Sequence, residues 1–123
     1  MTEATHTRIA AGAGFMAVAL GAFGAHGLKE ILAQHGTTTI WEKAVFYHFI
    51  HAVMLFVIAG RKPFVAGAWW GFLAGILFFS GSLYLLAVTN SKWFGTITPV
   101  GGIGFLAGWA ALFWSAEKNA DKP

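Results

Sequence analysis

None of the chain's 123 residues is cysteine. This excludes disulfides, zinc–thiolate sites, iron–sulfur ligation and thiol nucleophiles at once. Charge is also scarce: Asp, Glu, Lys and Arg together make up 11%, against about 25% in soluble domains. No run of three basic residues occurs, and the net charge is +3. The basic excess is therefore read as short loops of a bilayer protein, with no nucleic-acid partner. Ser80, Ser82, Ser91 and Ser115 lack a G-x-S-x-G elbow, and no aspartate lies within an apolar run to orient a histidine. Nucleophilic catalysis is thus unsupported, and the chain is not expected to be an enzyme.

Apolar residues are abundant, at 57% of the chain, with a mean hydropathy of +0.64. A membrane-crossing helix takes about 20 residues, so this length accommodates four spans and no soluble domain beside them. The expected fold is all-α: an integral membrane four-helix transmembrane bundle forming a single domain over 1–123. Its spans fall near 9–26, 42–60, 64–88 and 99–114, with a short interfacial amphipathic segment between helices 1 and 2. The run from Ile9 to Ala25 reaches the lower limit for a span and is expected to be retained rather than cleaved as a signal peptide.

Along the chain, MTEATHTR is a polar lead, and Arg8 marks the start of helix 1. Ala10, Gly14, Ala17, Gly21 and Ala25 recur at helical spacing on one face, suited to close packing. Leu28, Ile31 and Leu32 oppose Lys29, Glu30 and Gln34 in an amphipathic turn that Gly36 ends. Three threonines then lead, extended, to Trp41, expected at headgroup level.

Helix 2 places Ala44, His48, His51, Ala52, Leu55 and Ala59 on one face, with Tyr47 at its edge and Phe46, Ile50, Val53 and Val57 opposite. Imidazoles rarely face lipid, so the histidine face must look into the bundle or toward a partner. Glu42 points away from His48 by helical phase. Pro63 is expected to open helix 3, which carries a small-residue ridge of Gly67, Gly71 and Gly75. Trp69, Trp70 and Tyr84 on that helix read as belt aromatics, and Ser80 and Ser82 as hydroxyls bonded to carbonyls or across a helix contact. Pro99 opens helix 4, whose Gly101, Gly104 and Gly108 form another packing face. The polar tail after Trp114 is expected to fray, with Glu117 and Lys118 solvated. Arg8, Arg61, Lys62, Lys118 and Lys122 on one side against Lys29, Lys43 and Lys92 on the other favour cytoplasmic termini. No internal repeat relates the two halves, which argues against an inverted-repeat transporter.

Four stretches share a known pattern in order and spacing: LGAFGAHGL at Leu20 to Leu28, YHFIHA at Tyr47 to Ala52, SGSLYLLAV at Ser80 to Val88, and TPVGGIGFLAGW at Thr98 to Trp109. Together they resemble domain-of-unknown-function family 423, small bacterial inner-membrane proteins related to animal transmembrane protein 256. The resemblance implies a four-helix bacterial inner-membrane protein without an assigned biochemical role and supplies no catalytic residues. His26, Tyr47, His48 and His51 fall within its motifs.

Two uses of these polar residues are open. In one, the histidines hydrogen-bond between helices, and the protein is a non-enzymatic structural or accessory component of a larger membrane complex or a homo-oligomer, contacting lipid and carrying no cofactor. In the other, His26, Tyr47, His48 and His51 form a binding cluster for a lipid, quinone or other ligand. In its metal form, His26, His48 and His51 would hold copper, zinc or a haem iron. A small oligomeric pore or carrier is a third reading. The residues assigned to helix packing are Gly14, Gly21, Gly67, Gly71, Gly75, Gly104 and Gly108.

Overall fold

The computed structural model describes residues 1–120, with side chains through residue 116. The side chains of Glu117 and Lys118, and all of Lys122, lie outside the described residues. α1 spans Glu3–Ala25. The Thr2 hydroxyl accepts the Thr5 backbone N–H at 3.1 Å, and Glu3 sits in the positive first turn. That cap draws most of the polar lead into the helix, so α1 begins well before Arg8. After a turn at His26 and Gly27 comes α2, Lys29–His35, ended by Gly36 at φ 67, a left-handed conformation that glycine adopts without strain.

α3 spans Thr38–Ala59. The threonine stretch is therefore helical from Thr38, not extended, because the Thr37 side chain is anchored across the bundle and the chain turns directly into the helix. α4, Ala66–Gly75, continues through a π-helical turn, Ile76–Ser80, into α5, Gly81–Thr89. α4 begins three residues after Pro63, because Phe64 first folds back to stack on His6, with ring centroids 4.4 Å apart. A 3₁₀ turn, Lys92–Thr96, leads to α6, Thr98–Ala120. Pro99 lies in its first turn, where a missing N–H costs nothing. The helix runs past Trp114, so the backbone from Ser115 to Ala120 is helical rather than frayed.

Four stretches are long and apolar enough to cross a membrane: Glu3–Ala25, Thr38–Ala59, Ala66–Thr89 and Lys92–Ala116. They run up, down, up and down. At one end Lys62 Nζ lies 4.0 Å from Glu3 Oε2, both side chains well exposed. At the other end Trp41 reaches Leu20, and Thr37 reaches Ala87. α1 lies along α3, α4 along α6, and α3 is central, meeting both α4 and α5.

The main core gathers Leu55, Ile58, Trp69, Phe72 and Phe105, and a second cluster at the α2 end holds Leu32, Trp41 and Ala87. Large apolar side chains cover the outside, including Phe15, Val53, Val57, Leu77, Ile103 and Phe113. Such a surface is a liability in water and the natural finish in hydrocarbon. The molecule is an all-α four-helix membrane bundle, with α2 folded across one end.

α4 and α6 approach backbone to backbone. A Cβ added at Gly71 would stand 2.7 Å from the Gly104 carbonyl oxygen and 2.9 Å from the Gly108 nitrogen. Gly67 faces Ala111, Gly75 faces the Phe105 ring, and Gly108 faces the Phe72 ring. Van der Waals contact at this range is what holds helices together where lipid removes the hydrophobic drive. Gly21 meets Val45 of α3. Gly14 meets nothing within 4 Å, so within one chain it packs against no neighbour.

Candidate functional site

The helical phase of α3 sets its two faces. Ala44, His48, His51, Ala52, Leu55 and Ala59 are buried, whereas Phe46, Ile50, Val53 and Val57 are exposed. Tyr47 lies at the boundary, 37% exposed. The buried imidazoles therefore need partners from the protein.

His51 spends both ring nitrogens. Nδ1 lies 2.7 Å from the Tyr47 carbonyl oxygen one turn back, and Nε2 accepts the Trp109 indole N–H of α6 at 3.0 Å. A carbonyl can only accept and an indole N–H can only donate, so His51 is neutral with its proton on Nδ1. Its ring is sandwiched against Phe105, with centroids 3.7 Å apart.

His48 Nδ1 lies 2.8 Å from the Tyr84 hydroxyl of α5. The two histidines thus tie α3 to α5 and α6. Ser80, fully buried, donates to the Ala44 carbonyl at 2.8 Å. The Ser82 hydroxyl donates to the Phe79 carbonyl and lies 2.6 Å from the Thr98 hydroxyl.

His26 does not join them. It is the exposed residue that ends α1. Among the described residues no three His, Asp or Glu side chains are grouped to hold a metal ion. A metal at His51 would have to displace the Trp109 bond or the Tyr47 bond, since no ring lone pair is otherwise available. The expected trio of His26, His48 and His51 is not assembled, because α2 packs on α3 and α5 while His26 stays outside at the turn.

Three aromatics read as interface anchors turn inward. Trp41 is 4% exposed and donates from Nε1 to the Leu20 carbonyl at 2.9 Å. Its indole lies over Gly24, where a Cβ would collide with the ring. Tyr84 stacks at a tilt on Trp41, centroids 4.7 Å apart, and bonds His48. Trp69 is fully buried, its indole N–H without a partner, beside the His6 ring at 4.5 Å. Trp70, by contrast, is 54% exposed, where a belt residue belongs. The Ala87 carbonyl in the last turn of α5 is capped from the end of α2 and the link to α3: it accepts from the Thr37 hydroxyl at 2.7 Å and lies 3.2 Å from His35 Nδ1. None of these partners has a local signature, since each bond joins residues far apart in the chain.

Beside this seam lies a cleft of about 620 Å³ between α1 and α3, roofed by α2. Gly21, Gly24 and Ala25 form one wall, and Val45, Phe46, Phe49 and Ile50 the other. Leu32 and Trp41 close the end, and Lys29, Thr38 and Glu42 line the mouth. The glycines let α1 approach α3: a Cβ at Gly21 would stand 3.3 Å from Val45, and one at Gly24 would collide with Trp41. From Glu42 to Ile50 the α3 wall runs about 12 Å at 1.5 Å per residue. The result is an apolar trough with its charges at one end, within the usual size range of small-molecule sites, about 300–1,000 Å³.

The chain matches the family described as "Protein of unknown function (DUF423)" over residues 20–102. A UPF0382 membrane protein of Staphylococcus aureus is 47% identical over 109 residues, covering 85% of this chain and 88% of the relative. The UPF0382 membrane protein YwdK of Bacillus subtilis is 42% identical over 109 residues, covering 84% and 88%. A Staphylococcus epidermidis relative of the same description is 48% identical, covering 85% and 88%. No solved structure matches significantly.

Proposed function

Because the chain belongs to the DUF423 family, whose named relatives are membrane proteins, we propose that it is a non-enzymatic membrane protein that holds an amphiphile in the cleft between α1 and α3. The observation that carries this reading is the distribution of polarity in the cleft: Lys29, Thr38 and Glu42 at the mouth, and glycine, aromatic and aliphatic walls behind them. An amphiphile has that distribution, a polar head and an apolar body. Polar atoms of the histidine seam are spent on one another and on backbone carbonyls, which favours a structural use for His48 and His51 over a ligand-binding one. We further propose the bacterial inner membrane as its location, with the end bearing Arg8, Arg61 and Lys62 toward the cytoplasm, a reading supported by the positive-inside rule.

A phospholipid carrying a photoreactive group in its acyl chain tests the reading. Crosslinks mapped by mass spectrometry should concentrate on Phe46, Phe49 and Ile50 and be displaced by excess unlabelled lipid. Labelling that follows exposure alone, and so is heavier on the more exposed Phe15 and Leu106, without displacement, would remove the cleft as a site.

A second reading rests on α1. Gly12 and Gly14 have no neighbouring atom within 4 Å of an added Cβ, so a helix from a second copy or from another subunit could approach closely there. Native mass spectrometry from mild detergent should then show an oligomer or complex that Gly14→Leu dissociates; a monomer in both cases would dismiss it.

A further inference from the structure

We infer that the cleft is selective for a zwitterionic phospholipid bearing a primary ammonium, with Lys29 taking the phosphate and Glu42 the ammonium; this rests on the amphiphile reading above. Lys29 opens α2 and Glu42 lies in the second turn of α3, and the fold brings both to one mouth, with the Thr38 hydroxyl on the same rim. Among the described residues the only ion pair is Lys62 with Glu3. Lys29 and Glu42 are therefore not neutralised by each other, and both are exposed.

Two unlike charges at one apolar trough discriminate between headgroups. An anionic headgroup gains at Lys29 and is repelled at Glu42. A quaternary ammonium has no N–H to give the Glu42 carboxylate, whereas a primary ammonium offers three. A neutral quinone uses neither charge. Only a headgroup with both a phosphate and a primary ammonium satisfies both residues, and its acyl chain continues along the roughly 12 Å wall from Glu42 to Ile50. The phosphatidylethanolamine headgroup has this chemistry.

The full-length protein in nanodiscs containing equal parts phosphatidylethanolamine, phosphatidylcholine and phosphatidylglycerol provides the test, with retained lipid read by native mass spectrometry. The ethanolamine lipid should be enriched about threefold over each of the others, the scale of an exposed ion pair. Glu42→Gln should bring the ethanolamine-to-choline ratio to about one by lowering retention of the ethanolamine lipid. Lys29→Gln should lower retention of all three. Ala25→Trp, which fills the cleft from an exposed position, should abolish retention. Equal retention of the three lipids by the wild type, or a preference for the glycerol headgroup, overturns the headgroup assignment. If lipid is retained in either case and lost in Ala25→Trp, the cleft reading survives that failure. Retention unchanged by Ala25→Trp overturns both.

Discussion

His51 and Trp109, 58 positions apart, are joined by a hydrogen bond of 3.0 Å from the indole N–H to Nε2. Because Nδ1 is already committed to the Tyr47 carbonyl, this bond fixes both the tautomer and the angle of a ring lying between α3 and α6. A double-mutant cycle of His51→Ala and Trp109→Phe should give a coupling of about 0.6 kcal/mol, the usual scale between membrane helices. Reversible unfolding in mixed micelles measures it, and a coupling indistinguishable from zero would show that the bond contributes nothing.

Gly71→Ala should destabilise by about 1–3 kcal/mol, since its methyl would meet the Gly104 carbonyl and the Gly108 backbone, neither of which can swing aside. Gly14→Ala has open space and should be neutral, or stabilising by up to about 1 kcal/mol through helix propensity. Unfolding midpoints of the two variants in the same micelle decide this, and equal destabilisation would contradict the packing described.

Thr37→Val should cost about 1 kcal/mol, because Thr37 is buried and its hydroxyl caps the Ala87 carbonyl. Hydrogen exchange should quicken at the end of α5 and stay unchanged in α4. Unaltered exchange at residues 86–90 would mean that the His35 contact to the same carbonyl suffices.

Gly24→Ala should displace the Trp41 indole and break its bond to Leu20, with a cost of about 1–3 kcal/mol. Trp41→Phe in the same chain should recover part of that loss, since the smaller ring leaves room for the methyl. Additive losses in the double variant would show that the two residues do not compete for the same space.

Much of the bundle is legible in the sequence because helical phase is a local property. The 3.6-residue period alone separates His48 and His51 from Val53 and Val57, and small residues four apart announce the Gly67, Gly71 and Gly75 ridge. Fold class follows from the apolar lengths. Trp41, Trp69 and Tyr84 are misread because an aromatic near the end of a span looks like a headgroup anchor. What turns Trp41 inward is the missing side chain at Gly24, 17 positions away, and what occupies Tyr84 is His48. His26 is misjudged for the same reason: whether three histidines meet depends on how α2 folds over the bundle end, which no period in the chain encodes. The cleft is invisible in the sequence because it is the space between two helices.

The π-helical turn at Ile76–Ser80 lets one continuous helix serve two different neighbours. Below it α4 presents glycines to α6; above it α5 presents Tyr84 to His48 and Ala87 to α2, while Gly101 of α6 abuts the turn's own backbone at Phe78 and Phe79. The additional residue per turn resets the helix by roughly 100°. Length and register are therefore uncoupled here from composition: removing one residue from this segment would preserve an apolar span and yet rotate every contact on its far side away from its partner.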